Sequence, residues 1–171
     1  MRSKAFFING GAGRVITSIP AFEKYAETHD DFIIVCEGGM NFYKSHPVLH
    51  KYAYDNWHKG LFEDKIKDRD CVTPEPYRRW HYYNQKCSIA QAFDLEINGI
   101  DEPRDLPKPT IKLAKSEGIQ GLQLVDEAIK VTGKEKVIVV QPFGGLVDAA
   151  ESLTNLALPN DKHIEISNLV P

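Results

Sequence analysis

Cysteine is scarce in this chain of 171 residues. There are three, Cys36, Cys71 and Cys87, an odd number at wide spacing. They build neither a disulfide framework nor a CxxC metal site, so a reducing cytoplasm is the expected compartment. Long apolar runs are missing too. Nothing approaches the roughly 18 consecutive apolar residues of a transmembrane helix, and the opening MRSKAFFING lacks the order of a signal peptide. His46, His50 and His58 stand at no metal-like spacing with a carboxylate, and no metal centre is expected. The formal net charge of -3 gives no reason by itself to expect nucleic acid. No internal repeat or low-complexity tract is present.

What remains has the balance of a globular domain, 42% hydrophobic and 26% charged, long enough for one good core. Charge is unevenly spread. Residues 41–90 hold nine Lys/Arg against six Asp/Glu, with ten of the seventeen aromatics, while the rest of the chain is acidic. Such a segment suits an anionic or stacking ligand, or else a solvated surface over an aromatic minicore.

The order of elements starts with INGGAGRVITSIP after the apolar KAFF. Lys4 to Asn9 reads as a buried strand, Gly10 to Gly13 as a turn, and Arg14 to about His29 as a helix with Val15, Ile16, Ile19, Phe22 and Ala26 at helical spacing. DFIIVC, residues 31–36, is a second buried strand ending at Glu37. This strand–helix–strand unit predicts an α/β fold, a Rossmann-like parallel sheet flanked by helices. Further on, the pattern predicts a helix from Pro47 to about Asn56, a strand near Leu61, and a long helix from Arg78 to Asn98 capped by Gly99. A proline-punctuated linker at 101–109, an edge strand in PTIKLAK and a helix from Ser116 to about Val131, with Leu122, Val125 and Ile129 inward, follow. KVIVVQPFGG supplies another strand and glycine turn.

In open α/β sheets ligands sit beyond the carboxyl ends of the strands, where both glycine turns fall. Glycine lets a ligand approach the backbone, and a helix N-terminus offers free N–H groups to oxyanions. Gly10, Gly11, Ala12 and Gly13 are therefore candidate binding residues; the alternative is that small residues only make a tight turn. The dinucleotide fingerprint is broken, because Ile16 stands where its third glycine belongs, although Glu37 sits where a ribose-binding acid would.

The chain resembles the heptosyltransferase-like glycosyltransferases of family 9. GRVITSIPAFEKYAETHDDFIIVCEGG is similar to that family's G-D-V-I-x-T-x-P-A-L helix, WHYYNQKCSIAQAFDLEINGI to its long Leu-Gly-Ile-ended helix, DLPKPTIKLAKSEGIQ to its interdomain connection, and VIVVQPFGG to the first strand of its second domain. The style of KAFFING and PEPYRRWHYYNQ also resembles glycosyltransferase-like proteins of large tailed phages that coat hydroxymethylated DNA bases with sugar, which would place the chain in a host cytoplasm.

The resemblance implies half of a GT-B architecture, two Rossmann-like domains facing across a cleft, working without metal and with a nucleotide-sugar as co-substrate in place of a cofactor. The expected division is an acceptor-type domain over 1–133 and, over 134–171, the first strand of a second domain whose remainder is absent. The donor half would then be missing, or belong to a homo-oligomer partner or a separate donor-domain chain. The family's helix begins Gly-Asp, its usual base, and Arg14 stands at that aspartate. A guanidinium takes no proton at neutral pH, so Glu37 becomes the candidate base, and Arg14 a candidate for stabilising the leaving diphosphate.

Other candidates follow from what glycosyl transfer needs, a base, charge for the leaving group and shielding from water. Gln141 and Gly144 would contribute from the second turn. Tyr77, Arg78, Arg79, Trp80 and His81 would stack on and pair with a sugar or base. Each has a plainer reading: Trp80 packing its helix into the core, Arg79 and His81 on a solvated face, Glu37 capping a turn, Gln141 satisfying backbone. Three functions are open at this point: transfer of sugar to a saccharide or modified DNA base, non-catalytic binding by a GT-B half, and a small Rossmann oxidoreductase.

Overall fold

A computed structural model describes residues 3–134, 136 and 137. The chain divides into two compact units, Met1–Leu122 and Gln123–Pro171. The first holds four strands, β1 (Lys4–Ile8), β2 (Phe32–Cys36), β3 (Ala53–Asp55) and β4 (Asp70–Val72). All pair in parallel, in the order β3-β2-β1-β4. The fold is α/β with a Rossmann-like parallel sheet, as expected.

β1 and β2 are central because their sequences are apolar on both faces. Register runs from Lys4 opposite Phe32 to Ile8 opposite Cys36. Alternation then sorts the side chains. Phe6, Ile8, Phe32, Ile34 and Cys36 join the larger core cluster, and Ala5, Ile33 and Val35 a smaller one with Leu61 and Ile66. Helix α1 (Ala12–Ala26) crosses from β1 to β2 and buries Val15, Ile19, Phe22 and Tyr25 in the larger cluster. Phe6 meets Phe22, Tyr25 and Phe32 edge-on, at ring separations of 5.3, 5.1 and 6.4 Å, and full burial of each such ring is worth about 1.5–3 kcal/mol.

Helix α2 (Met40–Lys44) follows β2, and the buried His46 just beyond it acts as a clip. Its Nδ1 accepts from the amides of Val48 (3.1 Å) and Leu49 (3.0 Å), and its Nε2 lies 2.8 Å from Glu23 on α1. Two backbone donors at Nδ1 put the ring proton on Nε2, so His46 donates to Glu23.

Several expected elements differ. Residues 47–56 form no long helix; a short 3-10 turn at Leu49–Lys51 leads directly into β3. The region of Leu61 is a π-helical turn, Phe62–Ile66, rather than a strand. Leu61 and Ile66 lie under the sheet's second face, and β4 comes after them. The helix expected over 78–98 is broken into a 3-10 turn at Pro76–Arg78, α3 (Trp80–Tyr83) and α4 (Ile89–Asn98). Gln85 takes a left-handed φ of 57° at the break, and Ser88 and Gln91 then restart the chain as a reciprocal capping box. Gly99, at φ 63°, ends α4 as expected.

PTIKLAK is not a strand, and no neighbour pairs with it in the sheet. Helix α5 (Lys115–Thr132) forms close to its expected bounds, but among its described residues none is buried, Leu122 and Val125 included. The strand expected in KVIVVQPFGG lies outside the described residues, as do Gln141 and Gly144.

The linker at 101–109 is anchored. Asp94 on α4, with 1% of its side chain exposed, receives Nε and Nη2 of Arg104 at 2.6 and 2.9 Å. Asn98 donates to the same carboxylate at 2.6 Å and also to the Ala21 carbonyl of α1. Gln91 donates to the Arg104 carbonyl. A buried carboxylate is tolerable only when paired and hydrogen-bonded, and here that requirement fixes the chain leaving α4.

Candidate functional site

The strand order reverses between β1 and β4, since β1 leads toward β2 and β3 on one side while β4 returns on the other. Ligands of doubly wound sheets bind at such a reversal, beyond the carboxyl ends. Here that edge is built from the turn after β1, the start of the β2–α2 turn and the loop after β4.

The first turn begins at Gly10, whose φ of +106° excludes most side chains. Gly11 is the N-cap of α1 in extended conformation, with no side-chain cap and no acidic residue in the first turn. Gly11, Ala12 and Gly13 are exposed, and a Cβ on Gly11 or Gly13 would meet nothing within 4 Å. The first N–H groups of a helix have no partner within it, so the uncapped end offers them to an anion together with the positive end of the helix dipole.

Arg14 does not extend over this end. Its Cδ lies where a Gly10 side chain would stand, 3.0 Å from that ideal Cβ. Its Nη2 donates to the Pro74 carbonyl at 2.8 Å and sits 3.5 Å from Glu75. The guanidinium carbon is 5.4 Å from the Tyr77 ring centre and 5.6 Å from that of Phe93. Arg14 therefore ties the start of α1 to the loop after β4, and cation–π contact of this kind contributes about 0.5–2 kcal/mol. Its Nε is buried without a hydrogen-bond partner.

On the other flank, the β2–α2 turn packs against the glycine turn. An ideal Cβ on Gly38 would lie 3.4 Å from the Gly10 carbonyl oxygen. One on Gly39, at φ +71°, would lie 3.1 Å from Ala12 Cα and from Val15 Cγ2. Glu37, just before them, is exposed at the carboxyl end of β2. Helix α2 begins after Gly39, which has no side chain with which to cap it. The thiol of Cys36, beside Glu37, is pushed up to about 12, first by burial and then by the Asp55 carboxylate. It is an inert packing group.

The aromatic–cation run divides into parts with different roles. Tyr77 stands with Arg14. Arg79 is engaged in the fold, Nε 2.5 Å from Glu96 and Nη2 donating to the Leu95 carbonyl, so it locks the start of α3 to α4. His81 is half-buried, 3.7 Å from Glu102, and Arg78 is exposed. Trp80 is 63% exposed and does not pack its helix into the core. The break after α3 is what turns it outward.

Beside the same break lies an open surface pocket of about 400 Å³ lined by Tyr77, Tyr82, Tyr83, Gln85 and Cys87. Four of these residues are not among the sequence candidates, because a continuous helix would have placed Tyr83 and Cys87 on its core-facing side and separated them from Tyr82 and Gln85. The Ser88-x-x-Gln91 capping box was the available signal that a new helix starts there. Trp57, two residues past β3, is exposed at the same carboxyl edge as Glu37. Thus Gly10, Gly11, Ala12, Gly13, Arg14, Glu37 and Tyr77 share the carboxyl edge of the sheet, whereas Arg78, Arg79 and His81 lie along the chain beyond it.

Among the described residues no three His, Cys, Asp or Glu side chains converge as a metal site would require, and no helix is long and apolar enough to cross a membrane. No family model, no curated protein and no solved structure matches the chain.

Proposed function

We propose that this domain binds a nucleotide-type ligand, a nucleotide-sugar, at the carboxyl ends of β1, β2 and β4 and serves glycosyl transfer to a saccharide or a modified DNA base. The observation that carries the reading is one arrangement at the reversal of the sheet. An uncapped helix N-terminus on a glycine turn lies beside an exposed carboxylate at the end of β2, and Arg14 links that turn to the aromatic loop after β4.

Each part has a chemical task. The amides of Ala12 and Gly13 take phosphate oxygens. The Arg14 guanidinium, held behind them, keeps the local potential positive as charge develops on the leaving diphosphate. Glu37 takes the proton of the attacking hydroxyl, the task that Arg14 cannot perform although it stands where the family it resembles has an acid.

A second reading, dinucleotide binding with Glu37 on ribose hydroxyls, is favoured by the same carboxylate and the same strand order. Ile16 in place of the third glycine weighs against it. A thermal-shift screen with UDP-, GDP-, ADP- and CMP-sugars beside NAD separates the two. Stabilisation by a nucleotide-sugar supports the proposal, stabilisation by NAD alone supports the second reading, and no response to any of them overturns both. Turnover of the bound sugar then distinguishes an enzyme from a binding protein built on the same crevice.

A further inference from the structure

We propose that the pocket lined by Tyr77, Tyr82, Tyr83, Gln85 and Cys87 is a saccharide subsite that takes one pyranose ring. The assignment deepens the transferase reading and rests on it for its role, that of holding the acceptor.

The pocket is open to solvent, with Tyr83 80% and Tyr77 45% exposed, and its volume of about 400 Å³ lies at the lower end of ligand sites, about 300–1,000 Å³. Its walls select the ligand. The rings of Tyr77 and Tyr82 meet edge-to-face, 5.6 Å apart at 79°, forming a corner rather than a parallel slot. A flat base gains most from stacking on an aromatic face. A pyranose packs the C–H groups of one face on a single aromatic ring and presents hydroxyls around its edge to the neighbouring groups.

The polar groups agree. Three phenols and one carboxamide are neutral donors and acceptors, suited to sugar hydroxyls and lacking the cation that a phosphate would draw. Burial raises the Cys87 thiol above its ordinary value. Gln85 is held at the pocket in a left-handed conformation, with its amide bonded to Tyr82 and the next amide, Lys86, bonded to His81. These two bonds are the paired closure that ends α3, which is what holds Gln85 left-handed, and its carboxamide lines the pocket. Tyr77 also lies beneath the Arg14 guanidinium, so the subsite adjoins the proposed nucleotide crevice through one shared ring.

The test is saturation-transfer NMR on the full chain with methyl glycosides of glucose, galactose and mannose, and with adenosine, uridine and thymidine as the competing class. At least one pyranose should receive saturation and slow the alkylation of Cys87. Tyr83→Ala, which removes a side chain that is 80% exposed, and Gln85→Gly should each weaken that pyranose at least tenfold while the melting temperature is kept. Gly13→Ala should weaken nucleotide binding and leave the pyranose unaffected, so pyranose binding without any nucleotide response would overturn the transferase reading and keep the subsite. No pyranose contact, nucleosides binding in its place, or pyranose binding indifferent to both variants would overturn the subsite.

Discussion

Replacing Gly39 by alanine probes how the β2–α2 turn supports the start of α1. Gly39 sits at φ +71°, and a Cβ there would lie 3.1 Å from Ala12 Cα and Val15 Cγ2 and 3.3 Å from Val15 Cβ. The left-handed backbone costs an L-residue about 1–2 kcal/mol. Crowding a fully buried valine adds about 1–3 kcal/mol, and the lower freedom of alanine in the unfolded chain returns about 0.5–1 kcal/mol. The net expectation is a loss of about 1–4.5 kcal/mol, centred on about 3 kcal/mol, which corresponds to about 6–12 °C in Tm for a chain of this size. Gly13→Ala is the matched control. The chemical change is identical, but its Cβ meets nothing within 4 Å and helix propensity favours alanine by up to about 1 kcal/mol. Urea denaturation of both variants measures the difference. If Gly39→Ala falls within 0.5 kcal/mol of wild type, or the two variants shift alike, the close approach of the turns is wrong.

Two more predictions concern buried groups. Arg104→Ala leaves the Asp94 carboxylate buried with Asn98 as its remaining side-chain donor and should cost about 3–5 kcal/mol. Asp94→Asn leaves an arginine whose side chain is 43% exposed and should cost only about 1–2 kcal/mol; the reverse order in urea melts would refute the assignment. Cys36, raised from 9.0 to about 12, is protonated in the fold where the unfolded thiol already ionises. Stability from this group is therefore complete below about pH 9 and lost as pH rises to about 12, by up to about 4 kcal/mol, and Cys36→Ala should flatten that decline. Reaction of Cys36 with a thiol reagent in the native protein at pH 8, as fast as exposed Cys71, would contradict it.

The start of the chain was legible because its signals are long and mutually consistent. KAFFI and FIIVC are apolar on both faces, and a helix of period 3.6 lies between them. β3 and β4 are three residues each, too short to show a period of their own. They exist because β2 and β1 offer edges to pair with, a tertiary cause that local sequence does not carry. The break at Gln85 was hidden for a related reason. Apolar residues from Trp80 to Ile97 keep helical spacing across it, yet only those on α4 are buried. In the site, the glycine turn and Glu37 could be read from their strands. The partners of Arg14 are 60 or more residues away in sequence, and no local pattern could place them.

The central claim is that the carboxyl edge of the sheet receives a nucleotide phosphate at the start of α1. Equilibrium binding of the nucleotide-sugar panel to wild type and Gly13→Ala, side by side, tests it most directly. At least one member should bind wild type, and Gly13→Ala, at least as stable, should bind it tenfold or more weakly because the new methyl group stands where the phosphate must lie. Equal affinity for both proteins, or no binding to either, would contradict the account.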